Sequence, residues 1–143
     1  MDVLNCALSK MSAKSKNQKK TIPPIKGKDF WGPPIWTSTH ILAATLRPEN
    51  GEWYKKYLEC LSHLLPCEEC KKNLKTKLST HPPDAYMSNN HDAFFYSYLL
   101  HDLANEHISL AHPATPPKES PDYDQTKAFY FGGLAQECKD CQV

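Results

Sequence analysis

Two cysteines with two residues between them, in Leu65-Pro66-Cys67-Glu68-Glu69-Cys70-Lys71-Lys72, can close a small disulfide ring and reopen it. The flanking pattern places them at the start of a helix, where the partial positive charge of the N-terminus favours thiolate over thiol. Lys71 and Lys72 add to that bias, and Glu68 and Glu69 oppose it. Taken alone, the spacing fits a redox disulfide and half of a zinc site equally well. Two other pairs carry chemistry. Trp36 and His40 stand four residues apart and share a helix face, and so do His101 and Asn105. Indole and imidazole rings stack on a flat heteroaromatic ligand, and imidazole and carboxamide groups hydrogen-bond its polar edges. A histidine on an apolar face is commonly a satisfied core residue, so each pair alone says little. Both pairs beside a CxxC describe a site for a planar redox cofactor.

Helices must present these groups. The periodicity predicts a helix over 36–46, with Pro33 and Pro34 just upstream where proline is tolerated, and a break over 47–51. A second helix over 52–65 carries Trp53, Tyr57, Leu61, Leu64 and Leu65 at helical spacing, and Pro66 ends it. A lysine-rich amphipathic helix follows over 67–78, then a turn over 81–84. The longest helical pattern covers 91–111 and is dense in aromatics and leucine. A proline-rich loop over 113–121 leads to a short helix over 124–134, ended by Gly132 and Gly133. Almost nothing alternates as a strand. The expected fold is all-α, a four-helix bundle plus a short fifth helix.

With 143 residues the chain holds one domain with a real core. A net charge of +1 gives no general attraction to nucleic acid, and no run is apolar and long enough for a membrane span. Residues 1–28 hold seven lysines, no arginine and a single acid, Asp2. They read as a flexible, solvated tail, or as a contact for an acidic partner. Residues 1–11 lack the basic start and apolar run of a secretory signal, and the missing arginine argues against a mitochondrial presequence. The expected location is cytoplasmic. Six cysteines in that compartment point to catalysis or metal binding rather than structural staples.

Three motifs in succession carry a family resemblance. Gly32-x-x-x-Trp36-x-x-x-His40, Pro66-Cys67-Glu68-Glu69-Cys70 and His101-Asp102-Leu103-Ala104-Asn105 resemble, in order and interval, the Erv/ALR family of FAD-linked sulfhydryl oxidases. The resemblance covers residues 29–135, making that stretch the oxidase domain between the 1–28 tail and a 136–143 tail. It implies a helical bundle, usually a homodimer, with FAD held at one end. It implies that protein thiols are the substrates and oxygen the electron acceptor, giving hydrogen peroxide. Cys67 and Cys70 then correspond to the redox disulfide, with Cys70 against the flavin and Cys67 attacked by the incoming thiolate. Gly32, Trp36 and His40 correspond to the first flavin-binding helix, and His101, Asp102 and Asn105 to the second. Lys127 falls where a basic residue helps hold the cofactor.

The chain also departs from the family. Asp102 stands where the family has asparagine, which removes an amide donor. No cysteine lies between Cys70 and Cys138, so a structural disulfide common in the family is missing. The family's aromatic near the last helix falls among Phe129, Tyr130 and Phe131. Cys138 and Cys141, a second CxxC, resemble the shuttle pair that relays electrons from substrate to the redox disulfide, reaching Cys67 of the partner subunit. Cys60 is expected to be a buried, inert thiol, and Cys6 to be spare or in an intermolecular bond. The small size is similar to oxidases encoded by large DNA viruses, acting in host cytoplasm or virion. The alternative is a zinc-binding helical module using Cys67, Cys70, Cys138 and Cys141, although zinc-site halves usually lie closer together.

Overall fold

The structure is a computed structural model and describes residues 22 and 24–135. Five α-helices make up the described chain: α1 (Lys28–Ala44), α2 (Gly51–Leu64), α3 (Glu68–Thr80), α4 (Asn90–Ala111) and α5 (Tyr123–Leu134). Short 3-10 turns at Pro48–Asn50 and Asp84–Tyr86 join them, and no strand occurs among the described residues. This is the expected all-helical bundle with a short fifth helix. Cys138 and Cys141, Cys6 and most of the lysine-rich segment lie outside the described residues.

Packing centres on α1 against α4 and α2 against α3, with α5 laid on α1 and α3 touching α4. Ala43 and Ala93 are wholly buried, and Phe94, Tyr96, Leu58 and Leu100 fill the space around them. The polar side chains buried in the core, Thr39, His40, Ser62, Ser97 and Asn105, are hydrogen-bonded, as burial requires. Tyr54 Oη donates to the Thr39 carbonyl at 3.0 Å, and Asn90 Nδ2 donates to the Ala44 carbonyl at 2.9 Å, finishing the end of α1. Side chains also start three helices. Cys67, Asn89 and Asp122 each accept the backbone N–H three residues on, capping α3, α4 and α5.

The elements differ from the sequence expectation in three places. Helix α1 begins at Lys28 and runs through Pro33 and Pro34 instead of starting after them. The prolines remove only the bonds to the carbonyls of Asp29 and Phe30, which sit on exposed residues in the first turn, and proline's fixed φ suits a helix. In α2 the buried stripe contains Tyr54, Leu58 and Ser62, while Trp53 is 68% and Leu64 75% exposed. Lys56 Nζ covers the outer Trp53 ring at 4.7 Å. Finally, Cys60 is an exposed free thiol, not a buried one. Two residues past the buried Leu58 is about 200° around the helix, which points Cys60 away from the core.

Candidate active site

Cys67 and Cys70 are disulfide-bonded, with their Cα atoms 5.1 Å apart. Pro66 ends one helix and Cys67, in extended conformation, caps the next. A sulfur takes the place usually held by a serine or aspartate oxygen: Cys67 Sγ accepts from the Cys70 N–H at 3.2 Å. The helix N-terminus therefore bears directly on the Cys67 sulfur. Of the two opposing acids, Glu68 is held by Lys71 at 2.7 Å, and that pairing keeps its carboxyl below the usual range. Glu69 turns toward His107, whose buried Nε2 makes no hydrogen bond and lies 3.5 Å from Glu69 Oε1.

Cys70 forms part of the wall of a largely apolar cavity of about 360 Å³ lined by all five helices and by Lys118 of the loop before α5. Of the motif residues, Gly32, Trp36, His101 and Asn105 line it. Trp36 and His101 stack on each other, with centroids 4.1 Å apart and planes 7° from parallel. No flat ligand fits between rings that close, so one would lie on an outer face. His40 is 3% exposed and sits behind this pair, lining a second cavity of about 330 Å³ that shares His101 and Tyr130 with the first.

Burial, reinforced by the facing His101, lowers the His40 imidazole from 6.5 to about 4. Burial and then the Lys118 ammonium lower His101 to about 4, against the opposite pull of Asp102. Both rings are neutral at pH 7, which suits stacking and hydrogen bonding rather than charge pairing.

The remaining positions from the motifs fall elsewhere. Asp102 is exposed and lines neither cavity, because one residue past His101 is a rotation of about 100°. Lys127 also lies outside both walls, its Nζ resting 5.9 Å from the Tyr123 ring centroid and 5.8 Å from that of Phe131. The cation that does reach the first cavity from the proline-rich loop is Lys118. That loop is tied to α4 where Ser109 Oγ accepts the Lys118 N–H at 2.8 Å and Asn105 Nδ2 donates to Ser120 Oγ at 3.0 Å. Of the three candidate aromatics, Tyr130 lines both cavities. Sequence reasoning missed Lys118, and its only signal was a lysine amid prolines.

A disulfide capping a helix beside an aromatic-walled cavity defines a helical thiol–disulfide oxidoreductase. The sequence model of the Erv1 / Alr family matches residues 33–127, more than half the chain, so the protein belongs to the Erv1/Alr family and is a sulfhydryl oxidase. No curated protein matches it by sequence. Its fold is similar to that of the yeast Erv1 core in a crystal structure. The TM-score is 0.58 at 18% identity, over 91% of this chain and 97% of that one. Of the four sulfurs of the zinc alternative, those of Cys67 and Cys70 are bonded to each other, and those of Cys138 and Cys141 lie outside the described residues.

Proposed function

We propose that this sulfhydryl oxidase holds FAD in the Trp36–His101 cavity and uses it to reoxidise the Cys67–Cys70 pair, sending the electrons to oxygen. The observation that carries this reading is Cys70 in the wall of an apolar, aromatic cavity. The cavity's size falls within the usual range for small-molecule sites, about 300–1,000 Å³. Trp36 and His101 offer a stacking surface, Asn105 lies in the wall, and Lys118 brings a positive charge for a diphosphate.

Thiol exchange supplies the first half of the reaction. A substrate thiolate attacks Cys67 Sγ, the bond to Cys70 breaks, and Cys70 leaves as a thiolate. A second substrate thiolate then attacks the substrate sulfur of the mixed disulfide. Its product is the substrate disulfide, and both electrons remain on reduced Cys67 and Cys70. The Cys70 N–H pointing at Cys67 Sγ stabilises negative charge on that sulfur when it departs. When bound, FAD supplies the two-electron acceptor that restores the disulfide and delivers the electrons to oxygen as hydrogen peroxide.

The family resemblance supports a homodimer acting on protein thiols, with residues 29–135 as the catalytic unit and Cys138/Cys141 as the shuttle. A cytoplasmic setting and a form encoded by a large DNA virus belong to the same proposal. Among the described residues no helix is long and apolar enough to cross a membrane.

The test is a visible absorption spectrum of the purified protein before and after anaerobic dithiothreitol. An oxidised flavin band that bleaches with thiol and returns with air is expected. A colourless protein that FAD cannot reconstitute would sink the proposal. For the shuttle, Cys138→Ser/Cys141→Ser is expected to slow oxidation of a protein substrate while small-thiol oxidation continues; equal protein turnover would remove it.

A further inference from the structure

His40, which is buried, and His101, which is partly so, belong to a directional hydrogen-bond chain whose polarity is set outside the cavity. Ser97 Oγ lies 2.7 Å from the Phe94 carbonyl oxygen and 2.8 Å from His40 Nδ1. His40 Nε2 lies 3.1 Å from His101 Nδ1. Two proton arrangements connect these atoms with both rings neutral. In the first, Ser97 donates to Phe94, His40 Nδ1–H donates to Ser97, and His101 Nδ1–H donates to His40 Nε2. The outward nitrogen of His101 is then a bare acceptor. In the second, every proton is reversed and that nitrogen carries a hydrogen. The reversal leaves the Ser97 and Phe94 oxygens 2.7 Å apart with no proton between them. It loses a buried hydrogen bond and adds lone-pair repulsion, so the first arrangement prevails.

We propose that Ser97 is a positioning residue: acting through His40, it fixes His101 as the Nδ1–H tautomer, so that His101 Nε2 meets a cofactor ring N–H or amine as an acceptor. The cofactor half of this statement rests on the flavin reading above. Three further observations agree. Among the described residues nothing hydrogen-bonds His101 Nε2, yet the only buried side-chain nitrogen or oxygen without a partner there is His107 Nε2. His101 Nε2 is therefore an accessible atom on a residue that lines both cavities. Stacking on Trp36 at 7° holds the ring against reorientation. Ser97 itself is 0% exposed and touches no cavity wall, so it acts only through His40.

Long-range ¹H–¹⁵N correlation on the ¹⁵N-labelled full chain at pH 7.5, without and with added FAD, reads the tautomers directly. Unprotonated, pyridine-type Nε2 signals are expected for both His40 and His101. Ser97→Ala deprives His40 Nδ1–H of its acceptor. It is expected to convert at least half of His101 to the Nε2–H form and to weaken FAD binding about tenfold, as one buried hydrogen bond is lost. Ser97→Thr keeps the oxygen and is expected to keep the wild-type tautomer. A protonated His101 Nε2 in the wild-type protein overturns the proposal whether or not the alanine variant folds. An unchanged tautomer in Ser97→Ala removes the role of Ser97, and a changed tautomer with unchanged FAD affinity removes the acceptor role. Wild-type protein with the assigned tautomer that binds no FAD defeats the flavin reading while the Ser97 relay stands.

Discussion

Two imidazoles held neutral in the fold make acid destabilisation a direct test of the site's geometry. His40 and His101 are both lowered from 6.5 to about 4, by burial first and then by each ring's charged or titratable neighbour. The unfolded chain therefore binds more protons between these values, and stability must fall as pH falls through 6.5. Nothing is lost above about pH 7.5, and the loss levels off below the folded-state value of about 4. From pH 7.5 to pH 5 each ring costs about 2 kcal/mol, and the two together about 4 kcal/mol. That figure barely depends on the folded value, because both rings stay mostly neutral in the fold at pH 5. Against a typical total of about 5–15 kcal/mol the loss is large. With an m-value of about 1.5 kcal/mol/M, it lowers the urea midpoint by roughly 2.5 M. Glu68 and Asp84 are held down by Lys71 and Lys55, so their contribution is lost as pH falls from the usual carboxylate range downward, below this window. Urea titrations followed by far-UV circular dichroism at pH 7.5, 6.5, 5.5 and 5 measure the slope. His101→Gln removes one of the two groups and is expected to halve the loss. A midpoint that is flat across the window, or a slope unchanged in His101→Gln, would refute the burial and neutrality assigned to this pair.

Other substitutions separate the active pair, the cofactor cation and the packing. Cys67→Ser or Cys70→Ser is expected to abolish thiol oxidation measured by oxygen uptake, whereas the exposed Cys60→Ser leaves it within a factor of two; a matching loss in Cys60→Ser would mean that the active pair is misassigned. Lys118→Ala is expected to weaken FAD about fivefold, as one charge-assisted contact goes, and Lys127→Ala to leave it unchanged; fluorescence titration with FAD decides, and the opposite order would restore Lys127 to the site. Gly51→Ala places a Cβ 2.7 Å from the Met87 carbonyl oxygen, and the backbone there cannot yield cheaply. The variant is expected to lower the melting temperature although alanine is the better helix former, and a higher melting temperature would show that the 84–87 turn is free to move.

Trp36, His40, His101 and Asn105 could be picked out along the chain, but the contacts between them could not. Spacing along one helix is a local property, so Trp36 with His40 and His101 with Asn105 fall on shared faces whatever the rest of the molecule does. The contact that organises the cavity is of another kind: His40 meets Ser97 and His101 across 57 and 61 residues of chain, at an angle set by how α1 and α4 rotate against each other. Local rules failed where tertiary packing outweighed them. Pro33 and Pro34 argue for a helix boundary, yet α1 runs through them, and its first turns put Gly32 and Trp36 into the cavity wall. In α2 the helical spacing put Trp53, not Tyr54, on the apolar stripe. Tyr54 is the buried one, with its hydroxyl paired to the Thr39 carbonyl, while the Trp53 indole lies outside under a lysine. Lys118 was invisible for a further reason: a loop has no period, and its bonds to Ser109, Asn105 and Tyr98 hold that charge at the cavity. Ser97 gave no signal at all, being one serine in an aromatic helix. What distinguishes it is that its single proton is already committed to Phe94, which forces the direction of every hydrogen bond from there to the cavity.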